Sequence, residues 1–246
     1  MKLNIKMDII DYQKNRLNKE YWWFKGTRDL LDMLLYKNCN NKKNLRILDI
    51  GCGTGEDLEI INKFGRVTVL DISNEALKLI PNHLVERKIL GDVQKLPDDL
   101  KNKFDIIIMF NVLEHVKDDN LAIDQCYKVL KKDGTLILEV PAISRMYSTH
   151  DKALGHHRRY NKKVLFQKLN EKFRIKDIFY WNSILFLPIF SIRLLKKNSN
   201  KNDTDIDYLP RIINNLFYYI IKFENYLIKN DIYLPIGVSL VVVAKK

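Results

Sequence analysis

Leu45-Arg46-Ile47-Leu48-Asp49-Ile50-Gly51-Cys52-Gly53-Thr54-Gly55 is a short apolar run that breaks off in alternating glycines. Residues 45 to 50 have the leucine and isoleucine content of a buried parallel strand. The glycines allow a sharp turn and let the backbone approach a ligand with no Cβ in the way. Glu56 to Phe64 then reads as a helix. A helix that starts just beyond a glycine turn offers free N–H groups and the positive end of its dipole. That suits a ligand with a carboxylate, ribose hydroxyls or a phosphate. Such a turn also occurs as an ordinary strand-to-helix connection, so positions further along must decide between the two.

Val67-Thr68-Val69-Leu70-Asp71 is a second apolar strand ending in an acid. The acid falls about 20 residues after Gly51, where nucleotide-binding folds place the carboxylate that accepts from ribose hydroxyls. Arg87 to Leu90 is a third strand, followed by Gly91-Asp92-Val93. Next come Asp105 to Asn111 as a fourth strand, Asp119 to Lys131 as a helix with Lys132-Asp133-Gly134 as its stop, and Thr135 to Val140 as a fifth strand. Asn161 to Glu171 reads as a helix, Phe173 to Trp181 as a sixth strand and Ile236 to Ala244 as the last. Strands and helices in this alternation imply right-handed crossovers and a parallel sheet, with the strand-end acids converging on one crevice.

These residues resemble the class I S-adenosylmethionine-dependent methyltransferases. Asp49 to Gly55 is similar to the family's first motif, Asp71 to its ribose acid and Asp92 to the acid near the adenine; Phe104-Asp105 through Val116 is similar to its fourth strand and following turn. The G-x-G-x-G spacing lacks the glycine pattern suited to a pyrophosphate, which favours a nucleoside without phosphate. The resemblance implies an α/β, Rossmann-like sheet of seven strands with the last antiparallel. N-terminal helices would precede it, and a helical insertion would come before the last strand. It implies S-adenosylmethionine as cofactor, with Asp49, Gly51, Gly53, Gly55, Asp71, Ile72, Asp92, Val93 and Asn111 facing it.

Residues 8 to 37 read as helical, with Leu30, Leu31, Leu34 and Leu35 at helical spacing. Within them lie Tyr21-Trp22-Trp23-Phe24-Lys25-Gly26-Thr27-Arg28. Four consecutive aromatics cannot share one helix face, so at least one is expected to meet a ligand or partner. The segment is similar to one that precedes the core in a bacterial and archaeal subfamily often seen beside glycan-assembly enzymes. That likeness assigns Trp23 and Arg28 to the cofactor, Arg28 gripping the methionine carboxylate.

After Pro141 comes His150-Asp151-Lys152-Ala153-Leu154-Gly155-His156-His157-Arg158-Arg159-Tyr160, a loop on the ligand side that holds three of the chain's five histidines. It resembles the same subfamily's loop, which implies that it faces the acceptor through Asp151, His156, Arg158 and Arg159. The adjacent His156 and His157 splay apart and no carboxylate cluster joins them in sequence, so no metal is expected. A hydroxyl acceptor needs a base near neutral pH, and His115, His150 and His157 are the candidates, with Tyr160 orienting the acceptor.

The length of 246 residues suits a single domain: an N-terminal helical segment (1–44), a cofactor-binding core (45–181), a helical insertion (182–231) and a last strand (232–246). The net charge of +12 could attract nucleic acid, an anionic membrane or a phosphorylated substrate, or could simply reflect lysines on solvated faces. Against nucleic acid, Asn111-Val112-Leu113-Glu114 is not the Asn/Asp-Pro-Pro-aromatic turn of adenine-modifying relatives, and no Pro-Cys nucleophile is present. Cys39, Cys52 and Cys126 form no paired motif, which fits a reducing cytoplasm. Met1 to Asp11 lacks the pattern of a signal peptide, and no apolar run reaches the ~20 residues that span a bilayer. Lys196 to Asp207 reads as a loop, and Ile212 to Ile228 as an amphipathic helix that packs on its own domain or lies on a membrane or lipid-linked substrate. The expected activity is O-methylation of a sugar, glycan or lipid-linked small molecule; nucleic-acid methylation and a catalytically silent cofactor-binding protein are the alternatives.

Overall fold

A computed structural model describes residues 20–39, 42–196 and 209–246, without the side chains of residues 149, 150 and 192–196. Seven strands form one sheet: β1 Leu45–Ile50, β2 Gly65–Asp71, β3 Arg87–Leu90, β4 Phe104–Phe110, β5 Leu130–Pro141, β6 Arg174–Trp181 and β7 Ser239–Lys245. Their order is β3-β2-β1-β4-β5-β7-β6. The first five run parallel, and β7 is antiparallel to both β5 and β6, as expected for the fold. Alternate residues face opposite layers, as the strand period requires. Ile47, Val67, Val69, Ile106, Ile108 and Ile137 pack on one face, while Leu48, Ile50, Leu70, Ile107, Met109 and Leu138 pack on the other.

The first face is covered by α1 (Trp22–Asn38), α2 (Leu58–Ile61), α3 (Asn74–Leu79) and, from the insertion, α8 (Arg211–Lys229). The second is covered by α4 (Asp119–Val129) and α6 (Lys162–Asn170). Short helices α5 (Thr149–Ala153) and α7 (Phe186–Lys196) complete the described set. Ser73 and Asp118 begin α3 and α4 by accepting from the N–H groups of Ala76 at 3.2 Å and Leu121 at 3.1 Å.

Several local expectations change. The helix after the glycine turn is a single turn, Leu58–Ile61, because the carbonyl of Phe64 already accepts from Leu45 N–H and β2 begins at Gly65. Strand β5 starts at Leu130, so 132–134 is no helix stop; Asp133, not Gly134, takes the left-handed conformation there, at φ +63°. The helix read from residue 8 is described from Trp22, and all of the loop read at 196–207 except Lys196 lies outside the described residues.

Helices α1 and α8 clamp together. A Cβ on Gly26 would stand 2.4 Å from Ile221 Cγ2, so the helices meet where glycine leaves room. Asn225 donates to the Gly26 carbonyl at 3.0 Å and accepts from Trp181 Nε1 at 2.8 Å. Glu224 accepts from the N–H groups of Ser183 at 2.9 Å and Ile184 at 3.0 Å. The apolar side chains of α8 divide: Ile221 and Ile228 are buried, whereas Leu216, Tyr219, Phe223 and Tyr226 are exposed. No described helix is long and apolar enough to cross a membrane.

Candidate active site

Because β1 to β4 are parallel, the turns after them line one edge of the sheet. Gly51 sits at φ +72°, and a Cβ there would stand 2.2 Å from Val112 Cγ2 of the turn after β4; the position tolerates neither the strain nor the volume of a side chain. Asp71 accepts from Gly53 N–H at 2.9 Å and from Ser73 N–H at 2.8 Å, tying the end of β2 to the glycine turn. Asp49 is buried, and its carboxyl is held well above the usual range by burial and by the neighbouring Asp57, Asp71 and Glu56. Burial raises Asp57 to about 6, partly offset by the charge of Arg28. Acids crowded at one turn repel each other, and a cationic ligand relieves them. Asp92 is exposed and its carboxylate accepts twice from Gln94, each at 2.8 Å. Val93 is buried, Ile72 is 71% exposed beside Asp71, and Asn111 is left-handed at φ +52°. Trp23 is half-buried, edge-on to Trp22 and Trp181 at 5.6 and 5.2 Å between ring centres.

Beyond β4 and β5 a second constellation forms. His157 N–H donates to the Glu114 carbonyl at 2.8 Å, which docks the loop after β5 against the turn after β4. Asp151 is fully buried and is the hub of that loop. It accepts from Ser148 N–H at 2.9 Å and Arg159 Nε at 2.7 Å, and its Oδ1 lies 2.9 Å from His156 Nδ1. A carboxylate can only accept here, so His156 carries its proton on Nδ1 and presents a bare Nε2 when neutral. That Nε2 stands 4.0 Å from Glu114 Oε1. The ring of His115 meets that of His156 edge-on, 4.6 Å between centres. Part of the His115 ring reaches solvent, yet the protein packed around it and the two neighbouring imidazoles push its pKa down to about 4. Glu114 is wholly buried, and neither of its carboxylate oxygens has a hydrogen-bond partner. Burial is the main reason its pKa rises to about 8, with Glu139 and Asp151 adding to it and Arg159 opposing. Glu139, also buried, rises to about 7 through burial and the proximity of Asp57, so it stands electrostatically between the two constellations.

A methyltransferase-domain family model matches residues 48–138, the stretch from the glycine turn through β5. An uncharacterised protein of Methanocaldococcus jannaschii is 35% identical over 65% of this chain and 67% of its own length. A ubiquinone biosynthesis O-methyltransferase of Idiomarina loihiensis is 25% identical over 67% of this chain and 72% of its own. Among solved structures, an S-adenosylmethionine-dependent methyltransferase from Archaeoglobus fulgidus aligns with a TM-score of 0.55 at 18% identity, over 94% of this chain and 99% of that one. The chain belongs to the class I S-adenosylmethionine-dependent methyltransferases. Its cofactor is S-adenosylmethionine, and the crowded acids at the glycine turn fit that ligand's sulfonium and ammonium charges.

In this methyltransferase Gly51, Gly53, Gly55, Ile72, Asp92, Val93 and Asn111, all expected at the cofactor, lie in the turns after β1 to β4. Asp49 and Asp71 stand at the ends of β1 and β2, and Trp23 and Arg28 are on α1, with Arg28 close enough to bias Asp57. The loop after β5, expected to face the acceptor, turns several of its expected acceptor side chains inward. Asp151, Arg159 and Tyr160 are buried and bonded inward: Arg159 Nη1 donates to the Ala142 carbonyl at 3.1 Å, and the Tyr160 hydroxyl donates to Asp119 at 2.9 Å. These bonds turn the guanidinium and the phenol inward and hold the loop in place. Arg158 pairs with Asp119 at 3.1 Å and donates to the Lys117 carbonyl at 2.7 Å. His157 is exposed, and the His150 side chain lies outside the described residues. Beside the His156 that the sequence pairs with His157, folding brings Glu114 and His115 from the turn after β4. Glu114 and Glu139 were not read as site residues; the available signal was an acid set inside an apolar run, Val112-Leu113-Glu114 and Leu136-Ile137-Leu138-Glu139-Val140.

Proposed function

We propose that this methyltransferase methylates a hydroxyl oxygen of a sugar, glycan or lipid-linked small molecule, with a histidine taking the hydroxyl proton. The observation that carries the reading is the histidine-and-glutamate cluster seated directly beside the glycine turn, where Val112 touches Gly51. When bound, S-adenosylmethionine supplies a methyl group made electrophilic by its sulfonium. The chain's work is then to align the acceptor and remove one proton. His115, pushed down to about 4, is a weak base at neutral pH, and His156 is tied to Asp151; exposed His157 on the same loop is the base in this reading. Arg158, half-buried at the rim, is the side chain for an anionic group on the acceptor.

Two observations favour a lipid-linked acceptor met at a membrane surface. Leu216, Tyr219, Phe223 and Tyr226 form an exposed apolar ridge on α8, and the chain carries a charge of +12. The O-methyltransferase of ubiquinone biosynthesis among its relatives fits an oxygen acceptor. The test is transfer of labelled methyl from S-adenosylmethionine into an extract of the source cell, fractionated afterwards. Label is expected in organic or polysaccharide fractions; nuclease-sensitive label would replace this reading with nucleic-acid methylation.

A further inference from the structure

We infer that Glu114, His115 and His156 form a binding site for one divalent transition cation of the zinc type. One ligand atom from each lies within 4.8 Å of the other two. Ligands at about 2.0–2.2 Å from a tetrahedral zinc stand roughly 3.5 Å apart, so small side-chain rotations close the cluster on an ion. The 4.0 Å between His156 Nε2 and Glu114 Oε1 is too long for a hydrogen bond and leaves room for a shared metal.

Three further features fit a bound cation. Both oxygens of Glu114 are buried without a partner, in a wholly enclosed side chain. A carboxylate so placed is costly unless a positive charge faces it, and a protonated one would still need an acceptor for its O–H. Asp151 holds His156 through Nδ1, leaving Nε2 as the donor atom; a carboxylate behind a histidine is the arrangement that orients imidazole on a metal. Asp151 is itself fixed by Arg159 and by Ser148 N–H, so the supporting shell is rigid. Finally, His115 is partly exposed, so the third ligand stands at the mouth of the cluster and a fourth position opens outward. Three protein ligands with one open position is the pattern of a catalytic rather than a structural zinc. Two imidazoles and one carboxylate suit zinc, iron, cobalt or manganese over magnesium or calcium, which prefer oxygen alone.

In the open position the cation would bind a water or the acceptor hydroxyl and lower that group's pKa. This use of the cation rests on the O-methylation reading; binding of the cation does not. The test is therefore made without acceptor. The full chain, stripped by a chelator and desalted, is titrated with Co²⁺, read by its visible absorption, and with Zn²⁺, read by calorimetry. A single saturating equivalent is expected, weakened roughly tenfold or more in Glu114→Gln and in His115→Ala, with Asp151→Asn also weaker. His115 reaches the surface and Glu114→Gln keeps side-chain shape, so at least one variant folds, as thermal melting verifies. Absence of saturable binding up to millimolar metal, or equal affinity in folded variants, overturns the site.

Discussion

At the residue scale the acids around the glycine turn are the most informative groups. Asp57 has a folded-state pKa of about 6, above that of an unfolded aspartate, so the ligand-free protein loses stability as pH rises from about 4 towards 6. A cationic ligand favours the ionised carboxylate, which reverses the balance in the complex. S-adenosylmethionine affinity is therefore expected to rise several-fold from pH 5 to pH 7, with protons released on binding near pH 6, as calorimetry in buffers of different ionisation enthalpy measures. A flat profile would mean that Asp57 does not sense the ligand. Asp71 and the glycines could be singled out because their spacing along the chain marks them, and folding ties Asp71 to Gly53. Glu114 could not be, because its partners come from the loop after β5, more than thirty residues on, and only folding brings His156 to it. Arg159 misled for the opposite reason: a charged residue in a loop looks available until Asp151 and the Ala142 carbonyl occupy it.

At the scale of elements, α1 and α8 act as one clamp across the sheet edge that carries β6 and Trp181. Glu224 is the clearest test, since its carboxylate serves the N–H groups of Ser183 and Ile184. Glu224→Ala leaves the buried Ser183 N–H and the half-buried Ile184 N–H without this acceptor and should cost about 1–3 kcal/mol in urea unfolding. Gly26→Ala puts a methyl on Ile221 and should cost a similar ~1–3 kcal/mol. If Glu224→Ala unfolds at the wild-type midpoint, the clamp contributes nothing to stability. The strands and the amphipathic character of α8 could be read from periodicity. Which of its side chains pack could not, because Ile221 is buried where α8 meets Gly26 of α1, a contact between distant parts of the chain, while Phe223 stays exposed. The one-turn α2 likewise follows from strand pairing at Gly65, a long-range contact invisible to a local window.

At the scale of the whole molecule, the parallel strands deliver every βα turn to one edge; the turn after β4 packs Val112 against Gly51, and the loop after β5 docks on that turn through His157 N–H and the Glu114 carbonyl. The central claim is that this edge has two halves with separate work: acids and glycines for S-adenosylmethionine, and the Glu114–His156 region with His157 for the acceptor. Calorimetric titration with S-adenosylhomocysteine, paired with turnover on the labelled cell fraction, tests that division in two variants, Asp71→Ala and His157→Ala. Asp71→Ala should weaken cofactor binding several-fold, because it also releases the Gly53 and Ser73 N–H groups. His157→Ala should bind S-adenosylhomocysteine as the wild type does and lose most of its turnover; a His157→Ala protein that no longer binds S-adenosylhomocysteine would contradict the account.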